Sequence, residues 1–378
     1  MRTATFWAMA WLAAGVGAAG DVEILRLPEG AVQPQAVTDA RGTVHLAWLQ
    51  GDPRAADVFL WSLAEGRTNG AIPIRINQIS GSAMGIGTIR GVQMAIGRDG
   101  WVHLVWNGSS GSGVDAGGAS PLWYTRRKDG AGGSPERNLI GRTRHLDGGA
   151  SVAADARGGV HVIWHAAPVD GSDGEEHRRV FEALSTDDGA TFHPERPLEL
   201  DPGVCGCCSL RAFSDREGTL WLLYRAVQAG GGRPMTLLRS AGDERRWERV
   251  MGDPWPVSQC PMSSAFLADT PAGVFAAWET RGTVRVSILP HGSPGEPSAP
   301  PASLGTKARH PALAVDARGE GVCVWSEGTG WQRGGTVSWQ ALGSDARPGT
   351  ASGTVAGLSA WNAPAAFARP DGTWVVVF

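Results

Sequence analysis

The stretch VAADARGGVHVIW (residues 152–164) consists of two apolar runs joined by Asp-Ala-Arg-Gly, and it closes on Trp164. Six variants of this phrase occur at intervals of 47 to 60 residues, and they close on the aromatic residues Trp48, Trp106, Tyr224, Trp278, Trp325 and Phe378. In five copies a glycine stands six residues before this closing aromatic, namely Gly42, Gly100, Gly158, Gly218 and Gly319. Glycine tolerates the positive φ of a tight turn. Each copy is therefore predicted to be a β-hairpin.

Segments between the copies supply the remaining strands of a repeating unit. Apolar runs at 58–63, 121–126, 179–185, 235–240, 283–288 and 336–342 are predicted as third strands, and PIRI (73–76) as a fourth strand. Four strands per unit at this period are typical of β-propeller blades. The sequence predicts an all-β propeller with seven blades by repeat count, and a six-bladed ring is the alternative.

The two ends of the chain are predicted to meet in one blade. VEILRLP (22–28) is a lone strand, whereas residues 365–378 form only a hairpin. A join between them would remove an open sheet edge. We therefore expect the N-terminal strand to close the ring.

The first twenty residues have the features of an export signal. Arg2 precedes a short apolar run that ends in small residues, which predicts a signal peptide at 1–20 and a single propeller domain at 21–378. The run is short for a membrane anchor helix, which is the alternative, and no later apolar run is long enough to cross a bilayer. The protein is thus expected to be secreted or periplasmic and monomeric, with no cofactor. A net charge of −3 disfavours nucleic acid as a partner.

One short motif resembles a known family. STDDGATF (185–192) matches the pattern Ser-x-Asp-x-Gly-x-Thr-aromatic, and residues 240–247 are a degenerate version. This resembles the Asp box of the exported sialidase-like BNR-repeat propellers, here with an additional Cys-x-Cys-Cys loop. The resemblance implies that the box is a turn between the third and fourth strands, far from the active site. We assign it a structural role, in which Asp and Ser cap the turn.

The same resemblance implies a chemistry for a glycan ligand. Sialidases grip a substrate carboxylate with three arginines and use a Tyr paired with a Glu as nucleophile and an Asp as acid/base. This chain contains only two tyrosines, Tyr124 in a predicted outer strand and Tyr224 as a closing aromatic, and these positions argue against a Tyr nucleophile. A glycosidase that uses two carboxylates is the alternative.

Candidate site residues follow the closing aromatics or precede the innermost strands. Loops at these positions open on one face of a propeller, and the polar identities there differ from blade to blade. The predicted substrate-binding residues are Arg90, Asn107, His165, Arg225, Arg309 and His310, and the candidate catalytic carboxylates are Asp147, Glu279 and Glu327. Plain solvation is the alternative for each one taken singly.

The cysteines cluster in the loops of neighbouring blades. Cys205, Cys207 and Cys208 precede Tyr224, and Cys260 precedes Trp278 at a similar distance. In an exported protein this predicts a disulfide, either from Cys260 to one of the cluster or between the adjacent pair. The alternative is a copper or zinc site formed by Cys205, Cys207, Cys208 and Cys260 with His145.

These features together predict an exported sialidase-like propeller that binds an anionic or polar glycan on its upper face. Hydrolysis of that glycan is left open. The alternatives are a binding or scaffold propeller without catalysis, and a metal or redox site at the cysteines.

Overall fold

The computed structural model describes residues 10–14, 22–67, 70–112, 120–128, 132–169, 171–201, 203–228, 230–240, 246–292, 297 and 299–378. Its strands form seven separate sheets, arranged as the blades of a β-propeller. The prediction of an all-β propeller with seven blades is therefore confirmed. Two single 3-10 turns, Arg98–Gly100 and Glu175–His177, interrupt the loops. Among the residues described, no helix has both the length and the apolar character that a membrane crossing requires.

The first three blades follow the chain in order. Blade 1 contains the strands Ala31–Thr38, Val44–Asp52, Ala55–Leu63 and Ile74–Arg75. Blade 2 contains Gln93–Ile96, Val102–Asn107, Leu122–Lys128, Gly132–Gly133 and Arg137–Asn138. Blade 3 contains Thr143–Arg144, Ser151–Ala154, Val160–Pro168, Arg179–Ser185 and Arg196–Pro197.

The last four blades complete the ring. Blade 4 contains Arg211–Ser214, Leu220–Arg225, Met235–Ser240 and Trp247–Asp253. Blade 5 contains Ala265–Thr270, Gly273–Thr280, Thr283–Pro290 and Ala302–Leu304. Blade 6 contains Ala308–Val315, Gly321–Glu327, Gly335–Leu342 and Pro348–Leu358. Blade 7 contains Ala365–Ala368, Trp374–Val377, Val22–Arg26 and Ala10–Ala14.

The repeated aspartate explains why each copy of the phrase turns where it does. In blade 3 one oxygen of Asp155 accepts hydrogen bonds from the backbone N–H groups of Arg157 and Gly159, both at 2.8 Å. Gly158 between them has a φ of 96°, which a side chain would oppose. Asp39, Asp215 and Asp316 cap the equivalent turns in the same way. The Asp-Ala-Arg-Gly element is thus a side-chain cap on the hairpin turn.

The hydrophobic core lies between neighbouring blades. The closing aromatics are buried there, with Trp48, Trp106, Trp164 and Trp278 at most 1% exposed. Each cluster joins two adjacent sheets, as where Val105 and Tyr124 of blade 2 pack with Trp164 of blade 3. A blade cannot bury its apolar face alone, so the core forms only when neighbours stack.

The ends of the chain close the ring as predicted. Val22–Arg26 pairs in parallel with Trp374–Val377, and the N–H of Leu27 donates to the carbonyl of Phe378 at 2.9 Å. Ala10–Ala14, which lies within the predicted signal peptide, pairs with Val22–Arg26 on the outer edge. Cleavage of that peptide stays a prediction, and it would leave Val22–Arg26 as the outermost strand.

The segment that resembles an Asp box forms the turn between the third and fourth strands of blade 3. The Asp187 carboxylate accepts from the Thr191 N–H at 2.8 Å and from the Thr191 hydroxyl at 2.6 Å. Ser185 Oγ accepts from the N–H of Gly189 at 2.8 Å. Phe192 packs edge-on against the ring of Tyr124 in blade 2, with 4.7 Å between centroids. This turn therefore fastens blade 3 to blade 2. Most of the degenerate copy at 240–247 lies outside the described residues.

Candidate functional site

The upper face of the propeller carries the loops that lead into each innermost strand and those that follow each closing aromatic. The predicted site residues lie here, and most of them contact the next blade. Asn107 Nδ2 donates to the carbonyl of Gly148 at 3.0 Å, from blade 2 to blade 3. His165 Nε2 donates to the carbonyl of Cys208 at 2.8 Å, from blade 3 to blade 4. These contacts account for polar side chains at these positions without a ligand, and the ligand roles of Asn107 and His165 stay predictions.

The imidazole of His165 is held neutral. Burial and, to a smaller extent, the nearby Arg178 guanidinium lower its pKa to about 4. Arg178 Nη2 lies 3.3 Å from Nδ1 of His165 and donates to the carbonyl of His145 at 2.6 Å. His165 is therefore neutral, and its proton lies on Nε2, where it links blade 3 to blade 4 through the Cys208 carbonyl.

Arg225 is buried, and its guanidinium is fully engaged with the protein. Nε donates to Ser263 Oγ at 2.7 Å, Nη1 donates to the carbonyl of Arg233 at 2.6 Å, and Nη2 donates to the carbonyl of Glu279. The guanidinium also lies over the Trp255 ring, 4.9 Å from its centroid. One of these bonds stays within blade 4, at Arg233, and the other two reach blade 5, at Ser263 and Glu279. A ligand role for Arg225 stays a prediction.

Glu279 and Arg309 form the next interblade contact. Arg309 Nε donates to Glu279 Oε1 at 3.3 Å, and Nη2 donates to the carbonyl of Pro261 at 2.5 Å. Burial raises the pKa of Glu279 to about 7, against the opposing charge of Arg309, and Glu279 Oε2 has no partner among the described residues. A carboxyl group in this state has the proton affinity that a general acid needs.

Arg90 and Asp147 form an ion pair between blades 2 and 3. Arg90 Nε donates to the carbonyl of Asp147 at 2.7 Å, and Arg90 Nη2 donates to the carboxylate of the same residue. Arg90, Arg225 and Arg309 therefore each have acceptors within the protein. The structure brings Arg225 and Arg309 to the same residue, Glu279, and pairs Arg90 with Asp147.

The remaining predicted residues of this face are also engaged. Glu327 Oε1 accepts from the indole N–H of Trp325, the closing aromatic of its own blade, at 2.7 Å. His310 is buried with Nδ1 3.3 Å from Ser264 Oγ, and burial lowers its pKa to about 3. The side chain of His145 points to Asp173, with 3.5 Å between Nε2 and Oδ1. His145 does not belong to the group of clustered sulfurs, which consists of Cys205, Cys207, Cys208 and Cys260.

An axial cavity of about 70 Å³ lies at the upper end of the propeller, inside this rim. Seven equivalent positions, each paired with the residue before the closing aromatic, ring the axis there. They are Gln35, Gln93, Ser151, Arg211, Phe266, Ala312 and Ala365. The ring is thus polar on the side of blades 1 to 4 and apolar on the side of blades 5 to 7.

Arg211 is the charged member of this ring and was not among the predicted site residues. It is 5% exposed, its Nη1 donates to Gln93 Oε1 at 2.7 Å, and its guanidinium lies 4.3 Å from the centroid of the Phe266 ring. Its Nε has no partner, and no carboxylate of the described residues pairs with it. Burial lowers the pKa of Arg211 to about 10, still far above neutrality. A buried cation without a counter-ion is costly unless something else compensates it.

Two amides beside Arg211 also have unused hydrogen-bonding atoms. Gln35 Nε2 and Gln33 Oε1 are buried and have no partner in the part of the chain that is described. Both residues line the axial cavity. The sequence did contain a signal, because Gln35, Gln93 and Arg211 all stand thirteen residues before their closing aromatic. Three large polar residues in register on an innermost strand indicate a polar axis.

The cysteines form a compact cluster between blades 4 and 5. Cys207 and Cys260 are joined by a disulfide, with 6.4 Å between their Cα atoms. This confirms the predicted pairing of Cys260 with one member of the blade 4 loop. Cys205, Cys208 and Cys323 are free and buried.

Both tyrosines lie in the core. The Tyr124 hydroxyl is 2.7 Å from Nδ1 of His103, and burial raises the pKa of Tyr124 well above its usual range. Tyr224 is 7% exposed, and burial raises its pKa to about 12. Neither of these hydroxyl groups lines the axial cavity.

No protein-family model matches this sequence, and no curated protein matches it at a significant level. Solved structures do share the fold. A fucose-specific lectin from Aleuria aurantia aligns with 88% of this chain and 96% of its own at a TM-score of 0.53 and 9% identity. A Hadza microbial sialidase aligns with 86% of this chain and 72% of its own at a TM-score of 0.51 and 14% identity. A sialidase from Trypanosoma rangeli aligns with 81% of this chain and 54% of its own at a TM-score of 0.50 and 13% identity. At these identities the likeness is one of fold.

Proposed function

We propose that this protein binds an acidic glycan in the axial cavity at the upper end of the propeller. The observation that carries the proposal is Arg211, a buried arginine that faces the cavity with no carboxylate partner among the described residues. A carboxylate or sulfate on the ligand would supply the missing negative charge. Hydrogen bonds to a charged group contribute about 1.5–3 kcal/mol, so this contact alone is a substantial part of a sugar's affinity.

The other groups around the cavity suit a sugar. Gln35 Nε2 offers a donor and Gln33 Oε1 an acceptor, which complement the hydroxyl groups of a pyranose ring. Ala312, Ala363 and Pro364 add an apolar wall for the C–H groups of the sugar, whereas one face of the Phe266 ring is covered by the Arg211 guanidinium. The cavity offers about 70 Å³, which is less than a whole sugar needs, so the acidic group of the ligand would enter it while the sugar ring stays at its mouth.

The fold supports the choice of a glycan over other anions. A fucose-specific lectin and two sialidases share the fold, although their sequences do not carry the assignment further. None of Asp147, Glu279 and Glu327 lines the axial cavity. The proposal is therefore one of binding, and turnover is measured as a separate outcome.

A binding experiment with one arginine variant tests the proposal. The mature protein is titrated calorimetrically with N-acetylneuraminic acid, glucuronic acid and their neutral analogues, and each is also supplied as a fluorogenic glycoside to detect turnover. We expect binding of an acidic sugar over its neutral analogue. Arg211→Met keeps the length of the side chain without the charge, and it should weaken acidic binding by about 1.5–3 kcal/mol with little loss of melting temperature.

Arg318→Met is the matched control, because Arg318 pairs with Asp316 in an exposed hairpin turn of blade 6, outside the axial cavity. It should bind like the wild type. Failure of the wild type to bind any acidic sugar on a glycan array would refute the proposal. Equal affinity of Arg211→Met and wild type would also refute it.

A further inference from the structure

Four cysteine sulfurs from two neighbouring blades lie within 4.8 Å of one another. Cys205 Sγ is 3.7 Å from the sulfur of Cys207, 3.2 Å from that of Cys208 and 3.9 Å from that of Cys260. A single disulfide uses only Cys207 and Cys260. The buried thiols of Cys205 and Cys208 pack against that disulfide but form no covalent link between the blades. Their proximity therefore needs another explanation.

Hydrogen-bond donors point at the deepest of these sulfurs. The N–H and the hydroxyl of Ser263 both lie 3.3 Å from Cys208 Sγ. Ser263 Oγ itself accepts from Arg225 Nε at 2.7 Å, so its proton is directed to the sulfur. Donors of this kind stabilise a thiolate and orient a metal ligand.

Three arginines and the carboxylate of Glu175 lie around the cluster. Arg178, Arg225 and Arg233 all interact electrostatically with its sulfurs. Arg233 is neutralised by Glu175, with 2.5 Å between Nη2 and Oε2. Arg178 and Arg225 form no ion pair within the described part of the chain, and their neighbours are carbonyl, hydroxyl and imidazole groups. Asp147 and Glu175 act on Arg178 and Glu279 acts on Arg225 from a longer distance, so carboxylates offset part of the positive charge beside the sulfurs.

We propose that the reduced protein binds one thiophilic metal ion, Zn²⁺ or Cu⁺, through Cys205, Cys207, Cys208 and Cys260. Metal–sulfur bonds of about 2.3 Å in a tetrahedron place the sulfurs roughly 3.8 Å apart, close to the 3.7 and 3.9 Å separations of Cys205 from Cys207 and Cys260. Cys208, which lies 3.2 Å from Cys205, and the two sulfurs of the reduced disulfide would move apart to this spacing. Four thiolates around Zn²⁺, or three around Cu⁺, carry two net negative charges. Arg178 and Arg225 would stabilise this negative charge.

Metal binding and the Cys207–Cys260 disulfide exclude each other, because a disulfide sulfur has no thiolate charge to donate. Reduction by a phosphine consumes one water molecule: the phosphine gives two electrons and becomes the phosphine oxide, the two protons come from water, and the disulfide becomes two thiols. The metal then displaces the thiol protons to solvent as it binds. The site is thus present only in the reduced protein, and the proposal does not depend on glycan binding.

The test is a metal titration of the full mature chain under anaerobic conditions with a phosphine reductant. Zn²⁺ is titrated against a chromogenic chelator, Cu⁺ against bicinchoninate, and Co²⁺ is added as a probe whose visible bands report tetrahedral thiolate coordination. We expect one equivalent of Zn²⁺ or Cu⁺ per chain, thiolate-to-metal absorption, and no binding before reduction.

Variants separate this site from adventitious binding to thiols. Cys205→Ser should abolish the one-to-one complex, and Ser263→Ala should weaken it about 10–100-fold by removing the support of Cys208. Cys260→Ser repeats the first test at an exposed position if the buried variant does not fold. Cys323→Ala, a buried free thiol in blade 6, is the matched control and should bind like wild type. Reduced wild type that takes up neither ion, or binding unchanged by both Cys→Ser variants, would overturn the proposal.

Discussion

Arg211 Nη1 lies 2.7 Å from Oε1 of Gln93, so that blade 4 contacts blade 2 across the propeller axis. The two residues are 118 positions apart, and blade 3 lies between them in the chain. Their contact exists because both occupy the same register position on an innermost strand. It places a positive charge at the centre of a cavity whose other walls are neutral, and this is the basis of the proposed binding site.

Arg225 is expected to be important for stability. Arg225→Ala would leave Ser263 Oγ and the carbonyls of Arg233 and Glu279 without their donor. We expect the free energy of unfolding to fall by at least about 3 kcal/mol, since each buried group left unsatisfied costs about 1–3 kcal/mol. Urea unfolding at neutral pH measures this.

Two further variants calibrate the effect of Arg225. Arg225→Lys should recover only part of the loss, because an ammonium group cannot reproduce three separate donor directions. Arg41→Ala, at an arginine 65% exposed, should change stability by less than about 0.5 kcal/mol. An Arg225→Ala protein as stable as wild type that has lost an anionic ligand would favour the ligand role predicted from the sequence.

The turn at Ser185 to Phe192 should be intolerant of a side chain at Gly189. This glycine has a φ of 77°, and a Cβ there would overlap the hydroxyl of Tyr124 in the neighbouring blade. Gly189→Ala should cost about 3 kcal/mol or more from the combined clash and left-handed backbone. Gly372→Ala has a φ of 87° but open space around it, and it should cost only about 1–2 kcal/mol.

A double variant isolates the clash at Gly189. In a Tyr124→Phe background the overlapping oxygen is absent, so Gly189→Ala should cost less than it does in the wild type. Thermal unfolding of the four proteins of the cycle gives the coupling energy. Equal costs in the two backgrounds would mean that the contact between blades 2 and 3 does not constrain this turn.

Glu182 should make stability depend on pH in the acid range. Burial opposes its ionisation, yet hydrogen bonds and charge from His161 and Arg196 outweigh burial and lower the pKa to about 2 from 4.5. Because the folded pKa lies below the unfolded one, this stabilisation is complete above about pH 4.5 and disappears as the pH falls towards 2. It amounts to about 3 kcal/mol.

Urea unfolding across the acid range tests this linkage. The stability difference between wild type and Glu182→Gln should shrink as the pH falls from about 6 to about 3. Glu29→Gln, at an exposed position, should show no such convergence. A difference that stays constant with pH would show that the His161 and Arg196 contacts do not hold Glu182 ionised.

The cysteines should give a defined labelling pattern in oxidised protein. Alkylation after denaturation without reductant should modify the three free thiols, Cys205, Cys208 and Cys323, and leave Cys207 and Cys260 unmodified. Mass spectrometry of tryptic fragments locates the labels. Modification of all five cysteines would contradict the disulfide, whereas a fragment that links Cys207 to Cys208 would contradict its pairing.

The sequence by itself determined the blades of this protein. The Asp-Ala-Arg-Gly turn and the alternation around it act over a few residues, because Asp155 caps its own turn at Arg157 and Gly159. Such local signals also gave the count of seven hairpins, and the incomplete strands at the two ends gave ring closure at Leu27 and Phe378. These features can be detected in the sequence because they recur at the same position of each repeat.

Only the tertiary structure decided what the polar residues of the upper face do. The sequence predicts Asn107, His165 and Arg225 as ligand contacts because their identities differ between blades. The structure adds that each one bonds to a particular group of the next blade, and their ligand roles stay predictions. Those partners lie 38 to 43 residues away, and nothing local specifies them. For the same reason, Arg211 is not predicted from the sequence. Its lack of a counter-ion among the described residues becomes evident only when the innermost strands of all blades are assembled around the axis. The neighbouring blade determines which group a polar side chain of this face bonds to. The sequence of a single strand does not identify that group.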